Sequence, residues 1–226
     1  MTTLPSSNAR PPQLDARLAA AAAYVRPGKA AADIGCDHGK LSAWLAGSGH
    51  CPLVFACDLR EGPLQKAKQT CAPWGDRVQF RLGSGLEVLR PDEAEDIIIA
   101  GMGAETILEI LDAAPWAADP RYNFVFVPAT KHSVLRRGLA QRGFALQAET
   151  LCRAAGRWYA VMNVRYTGEV VTDPDGLWCV RGLLAGQDGC ADYWAAQAVK
   201  LRKYRLGLQD GPEAQGVEEI LRRLVG

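Results

Sequence analysis

The sequence predicts an α/β protein with a mixed, largely parallel sheet, a closing antiparallel pair of strands and a helical C-terminal appendage. Three observations predict it. Short aliphatic or β-branched runs alternate with segments of helical period from Lys29 to Arg142, the pattern of a parallel sheet wrapped by helices. Two more strand-like runs, residues 145–151 and 158–166, are separated by only Cys152 to Arg157. Parallel neighbours need a crossover of about a dozen residues or more, so these two pair as an antiparallel hairpin. Beyond Tyr166 the chain is broken by Pro174 and several glycines, and two helical stretches follow.

The elements follow in order. Residues 14–23, with the run Ala19 to Ala23, have strong helix propensity and stop before Pro27-Gly28. Strands are expected at 30–34, 53–57, 78–82, 96–100 and 124–127, and helices at 40–46, 63–71, 104–113 and 133–142, read together as five strand–helix repeats. In the tail, Cys190, Trp194, Gln197, Leu201, Tyr204 and Leu208 step by four and three residues, as do Val217, Ile220 or Leu221, and Leu224. Gly211-Pro212 between them signals a turn, hence a helical hairpin. The expected organisation is a catalytic-type domain over 1–167 and a helical extension over 168–226.

Composition sets the bounds. With 226 residues, 48% hydrophobic and 23% charged, the chain has the profile of a folded protein of one generous domain, or one domain plus an appendage. Lys and Arg number 26 against 25 Asp and Glu, so a polyanionic partner must be met by a local patch, not a global field. Seven cysteines without a C-x-x-C pair argue against a disulfide framework and a zinc ribbon, and no metal site is expected. His50 and His132 lack a cysteine or carboxylate partner at ligand spacing. No export signal or membrane-length apolar run is visible, and a reducing cytoplasm is the expected location.

Chemistry concentrates at two strand ends. Asp33-Ile34-Gly35-Cys36-Asp37-His38-Gly39 stands where the first strand turns into the first crossover helix, the place where doubly wound folds hold nucleotide-like ligands. Asp37 would repel a pyrophosphate, whereas an acid-rich loop suits a cation, and S-adenosylmethionine carries both an amino group and a sulfonium. Asp58 ends the second strand 25 residues after Asp33, close to the spacing at which an acid takes ribose hydroxyls. Ile98-Ile99-Ala100-Gly101-Met102-Gly103 follows the fourth strand, across the switch point from the first loop. It offers no acceptor side chain for an exocyclic amine, which favours a ring nitrogen with its own lone pair as nucleophile. A tight strand-to-helix turn explains the glycines equally well.

Five such units closed by an antiparallel pair outline the Rossmann-like class I methyltransferases. More specifically, the chain resembles the bacterial tRNA adenine-N1 methyltransferases that modify adenine 22 in the D-arm. The resemblance rests on Arg17-Leu18, Asp33-Ile34-Gly35-Cys36-Asp37-His38, Gly62-Pro63-Leu64-Gln65-Lys66-Ala67, Gly85-Leu86-Glu87-Val88 and Ile99-Ala100-Gly101-Met102-Gly103. It implies a seven-stranded mixed sheet, S-adenosylmethionine as cofactor, tRNA as partner, and a coiled-coil-like C-terminal extension that engages it. Carried over by position, Asp33, Gly35, Cys36, Asp37, Gly39, Asp58, Leu59, Ser84, Gly85, Leu86 and Ala100 frame the cofactor. Asp37, His38, Gly101 and Met102 stand at the reaction centre, and Arg17 and Gly103 belong to the substrate side.

Lys131, Arg136, Arg137 and Arg142, with Lys200, Arg202, Lys203 and Arg205 in the tail, are the candidate phosphate contacts. A solvated helix face explains them as well, since residues after Glu169 carry seven basic against eight acidic groups. Trp44, Trp116, Trp158 and Tyr159 are available to stack on a base, and the sequence does not choose among them. Three departures from the family pattern stand out. Ser84 replaces the acid of Gly-Asp-Gly-Leu, Ala104 follows Gly101-Met102-Gly103 in place of a glycine, and Val127-Pro128 stands where Gln-Pro is usual. A methyltransferase of another small-molecule or protein substrate, and a noncatalytic tRNA-binding protein of the same fold, are the alternatives. A monomer is favoured over a dimer.

Overall fold

The central strands read Ala-Ala-Asp-Ile in β1 (Ala31–Ile34), Val-Phe-Ala-Cys-Asp in β2 (Val54–Asp58) and Asn-Phe-Val-Phe-Val in β5 (Asn123–Val127), and each is buried along its length. Continuous burial without polar alternation is what a parallel strand covered by helices on both faces requires. The computed structural model describes residues 9–225.

With β3 (Val78–Leu82) and β4 (Asp96–Ala100), these strands form the parallel part of a seven-stranded sheet of order β3-β2-β1-β4-β5-β7-β6. β6 (Phe144–Ala154) and β7 (Arg157–Tyr166) close it as an antiparallel pair, β7 lying against β5. The two turn residues, Ala155 and Gly156, both take positive φ, the geometry of a hairpin turn that follows strand twist. The strands of this hairpin run longer than expected, so its tip projects beyond the end of β5, where Phe126 pairs with Met162.

Helices α1 (Ala16–Tyr24), α2 (Lys40–Gly47) and α3 (Glu61–Cys71) pack on one face, and α4 (Ala104–Asp112) and α5 (His132–Ala140) on the other. The count of five strand–helix repeats is corrected to four, since no helix joins β3 to β4. Residues 83–95 cross over as turns anchored by buried Leu86 and Leu89, because Gly83, Gly85 and Pro91 punctuate the segment.

After the sheet come α6 (Gly176–Arg181), inside a segment the sequence reads as broken, then α7 (Cys190–Leu206) and α8 (Pro212–Val225). The helical hairpin of α7 and α8 is as expected, but the apolar stripe of α7 is not a single line. Tyr193 is buried in the main core with Leu184, Ala198 is buried against α6 and α8, and Tyr204 is exposed. The start of α7 lies between two apolar clusters, so burial wraps around it. No described helix is long and apolar enough to cross a membrane.

Arg136, expected to bind phosphate, is instead fully buried. Its Nε donates to Glu149 Oε1 at 2.9 Å, and its Nη1 donates to the carbonyls of Cys179 at 2.8 Å and Val180 at 3.1 Å. Glu149 Oε2 accepts from the Leu183 N–H at 2.6 Å. The pair ties α5 and β6 to the end of α6, satisfying carbonyls that a six-residue helix leaves open. His132 Nδ1 and the Tyr193 hydroxyl share a 2.9 Å hydrogen bond beside it.

Removing one partner of such a pair strands a buried charge. Glu149→Ala should lower unfolding free energy by about 3–5 kcal/mol. Arg136→Met combined with Glu149→Leu should cost less than that single change, as read from urea unfolding.

Candidate functional site

The strand order reverses between β1 and β4, and a cavity of about 700 Å³ opens there at the C-terminal ends of the parallel strands. That volume lies within the ~300–1,000 Å³ range of small-molecule sites. Gly35 turns out of β1 at φ +74°, a conformation that L side chains rarely adopt. A Cβ there would meet the terminal methyl of Met102, so the turns after β1 and β4 touch at this point, and the positive φ is what most favours glycine.

Carboxylates dominate the polar wall. Asp58 is nearly buried at the end of β2, and its oxygens accept from the N–H groups of Asp37 at 3.1 Å and Arg60 at 2.9 Å. Those bonds fix the carboxylate plane and leave lone pairs for a ligand. Asp33 lies deeper and accepts from Ser42 Oγ at 2.6 Å. Burial pushes its carboxyl up to about 6, against the pull of the Ser42 hydroxyl and with smaller contributions from the charges of Asp58 and Asp37. Asp37, at φ +50°, pairs with His38 Nδ1 at 3.0 Å at the exposed lip.

The structure gathers most of the expected residues. Gly35, Asp37, Asp58, Leu59, Ser84, Gly85, Leu86, Ala100, Gly101 and Met102 line the cavity, with Arg17 from α1. Asp33, Cys36 and His38 line an adjoining cavity of about 440 Å³ that shares Arg17, Gly35, Asp37 and Ala100 with the first. Cys36 is nearly buried, and burial pushes its thiol far up, which removes it as a nucleophile.

Two expectations are corrected. Gly39 lines neither cavity; it begins α2 at positive φ, and a Cβ there would press on the Ala67 backbone at 3.0 Å, so its role is to let α2 approach α3. Gly103 precedes α4 and bridges to Thr130 without lining a cavity.

The sequence missed Glu87. It lines the same cavity as Ser84, and its Oε1 accepts from the Ser84 N–H at 2.9 Å. An acid three residues past the Ser84 departure was the available signal. Thr106, Glu109, Ile110 and Ala113, spaced along one face of α4, complete that wall.

Of the other phosphate candidates, Lys131 pairs with Glu105, Arg137 with Asp173, Arg142 with Asp112, and Arg205 with Glu218 and Asp210. Lys200, Arg202 and Lys203 are exposed on α7 and have no ion pair among the described residues. A third cavity, about 410 Å³, lies between the start of α1, Gly101 and the β6–β7 turn, and it shares Arg17 and Gly101 with the first. No described cluster of three or more His, Cys, Asp or Glu is arranged to hold a metal.

Comparison with known proteins agrees with this geometry. Residues 14–162 match a family described as a methyltransferase domain. The chain is 30% identical over 176 residues to the tRNA (adenine(22)-N(1))-methyltransferase of Bacillus subtilis, covering 77% of this chain and 74% of that one. The fold matches the crystal structure of the B. subtilis m1A22 tRNA methyltransferase TrmK, with a TM-score of 0.80 at 22% identity over 95% of this chain and 99% of that one. It also matches M. capricolum TrmK in complex with S-adenosyl-homocysteine, with a TM-score of 0.76 at 20% identity over 93% and 96%. The chain therefore belongs to the methyltransferase-domain family and, within it, to the family of the tRNA (adenine(22)-N(1))-methyltransferases.

Proposed function

We infer that this protein transfers the methyl group of S-adenosylmethionine to N1 of adenine 22 in the D-arm of tRNA. The observation that carries the reading is the carboxylate-lined cavity at the switch point, joined through Gly101 and Arg17 to a second opening, in a chain of this family. The residues present fit the cofactor. Several carboxylates suit a ligand with two positive centres, and the Gly35 turn brings bare backbone to the cavity wall.

Asp58 is oriented by two N–H groups to accept from ribose hydroxyls. Asp33 and Asp37 face the amino-acid end of the site, directly or through water. Glu87 supplies, from three residues further on, the acceptor for the adenine amine that Ser84 lacks. When bound, the cofactor supplies a sulfonium-activated methyl group for in-line displacement.

The adenine N1 lone pair is already nucleophilic, so the chain's work is alignment and exclusion of water, not proton abstraction. Gly101 and Met102 form the wall at which the base must arrive, held by the Gly101 N–H donating to the Val127 carbonyl at 2.9 Å and the Ala129 N–H donating to the Met102 carbonyl at 2.8 Å. A base in a paired arm must be turned out to reach it. Residues 168–226 serve as the tRNA-engaging extension through Lys200 and Lys203, while Lys131 would exchange Glu105 for phosphate. Because the substrate is a cytoplasmic RNA, the protein works there, a setting that suits its seven free cysteines.

Incubation with labelled S-adenosylmethionine and unmodified bacterial tRNA should yield N1-methyladenosine mapped to the D-arm. Binding of cofactor without label in any of several tRNAs would leave another substrate or a noncatalytic role. Asp58→Ala should weaken cofactor binding about 10- to 100-fold by calorimetry, the scale of lost hydrogen bonds to a charged group.

Cofactor affinity should also depend on pH. A cation beside Asp33 favours its ionised form, so affinity should be level above about pH 6 and fall below it, and Asp33→Asn should flatten that profile. The same raised value works the other way on stability. The contribution of the protonated carboxyl is present below its unfolded value of about 4 and is lost as pH rises to about 6.

A further inference from the structure

We propose that Tyr159, with the Arg17 guanidinium over its ring, is the surface on which the target adenine stacks, and that Arg157 holds the adjoining phosphate. The assignment rests on the tRNA reading above and identifies the part of the site that takes the base.

Of the four aromatics that the sequence offers, three are committed elsewhere. Trp44 packs beside His50 with ring centroids 5.7 Å apart. Trp116 packs edge-on against buried Tyr122 at 5.1 Å. Trp158 faces the other side of the hairpin, packed against the main core, where a Cβ on Gly189 would strike its ring. Tyr159 alone of the four lines a cavity at the Gly101 turn.

That cavity suits a flat heterocycle. Ala16, Ala129, Ala154, Ala155 and Gly101 give it small apolar surface, and the charged pair Asp15 and Arg17 completes the wall. The Arg17 guanidinium lies over the Tyr159 ring, 5.7 Å from its centroid, and is held by Asp15, which accepts from Arg17 Nε at 3.0 Å. Guanidinium planes and phenol rings are the two side-chain surfaces on which unstacked RNA bases lie. Arg17 and Gly101 border both this cavity and the carboxylate-lined one, so a base resting on Tyr159 would present its edge toward the cofactor cavity past a residue with no side chain. A Cβ on Gly101 would stand 3.6 Å from Arg17 Nη1, within that passage.

Strand geometry adds the phosphate contact. Side chains alternate along β7, so Arg157 shares the face of Tyr159, whereas Trp158 takes the opposite one. Arg157 is exposed at the projecting tip and has no ion pair among the described residues. It lies one strand repeat beyond the ring, on the side from which the backbone of an extruded nucleotide enters.

The test measures methyl transfer to unmodified tRNA under steady-state conditions, with S-adenosyl-homocysteine affinity and thermal melting as controls. Tyr159→Phe should stay within about threefold of wild type. Tyr159→Ala and the bulkier Tyr159→Leu should both lose about 10- to 100-fold in kcat/KM for tRNA with unchanged S-adenosyl-homocysteine affinity. Arg157→Ala should reduce the slope of log affinity against log salt by about one. Wild-type kcat/KM in folded Tyr159→Ala would overturn the assignment. Wild-type protein that binds S-adenosyl-homocysteine and labels no tRNA would overturn the reading beneath it.

Discussion

The contact between the turn after β1 and the turn after β4 governs the rest of the site. β1 and β4 are neighbours in the sheet, with Ile34 in register with Ile99, yet their chains leave in opposite directions to helices on opposite faces. The crevice this creates is deep only if the two turns close its floor. They do so through Gly35 and the terminal methyl of Met102, which occupies the place of a side chain at position 35. Every cavity described above borders that floor or the adjoining Gly101.

The electrostatics follow from which charges the fold leaves free. A net charge of +1 conceals a strong local division. Asp33, Asp37, Asp58 and Glu87 gather at one end of the sheet, and two of them are nearly buried. Of the nearby arginines, Arg60 reaches Asp58 only at 3.9 Å from an exposed position, Arg17 is held by Asp15, and Arg81 is held by Glu93 at 2.9 Å. A buried carboxylate without a partner is costly, and the raised value of Asp33 expresses that cost. A cationic ligand relieves it, so the same burial that weakens the fold at neutral pH strengthens selection for such a ligand.

The fold was legible where chain periodicity and strand spacing decide it. The five parallel strands fall within one residue of expectation because most are short apolar runs bounded by glycine or acid, and β3, Val-Gln-Phe-Arg-Leu, shows instead the alternation of an edge strand. The count of five repeats overran the four helices the sequence marks, because residues 83–95, which carry buried Leu86 and Leu89, cross to β4 without one. Site residues that act through the main chain or sit at strand ends, such as Gly35 and Asp58, could be read from position. Arg136 could not. Its sequence context matches Arg137 and Arg142, and only the packing of β6 and α6 around α5 shows that its charge is spent on Glu149 and two carbonyls.

That burial also changes what the C-terminal segment is mechanically. A flexible tail would present its lysines independently of the catalytic crevice. Here Leu184 and Tyr193 share the main core with the sheet, and Glu149 holds the backbone at Leu183. His132, bonded to Tyr193, begins the helix that follows the Thr130 bridge to Gly103, and burial pulls its imidazole down to about 4. The imidazole therefore stays neutral at physiological pH and makes this joint insensitive to it. Lys200, two turns beyond Tyr193 on α7, is thereby held at a set distance from the Gly101 turn. In the proposed function, a phosphate at the one and a base at the other would be read by the same frame, so that two weak contacts together report RNA shape.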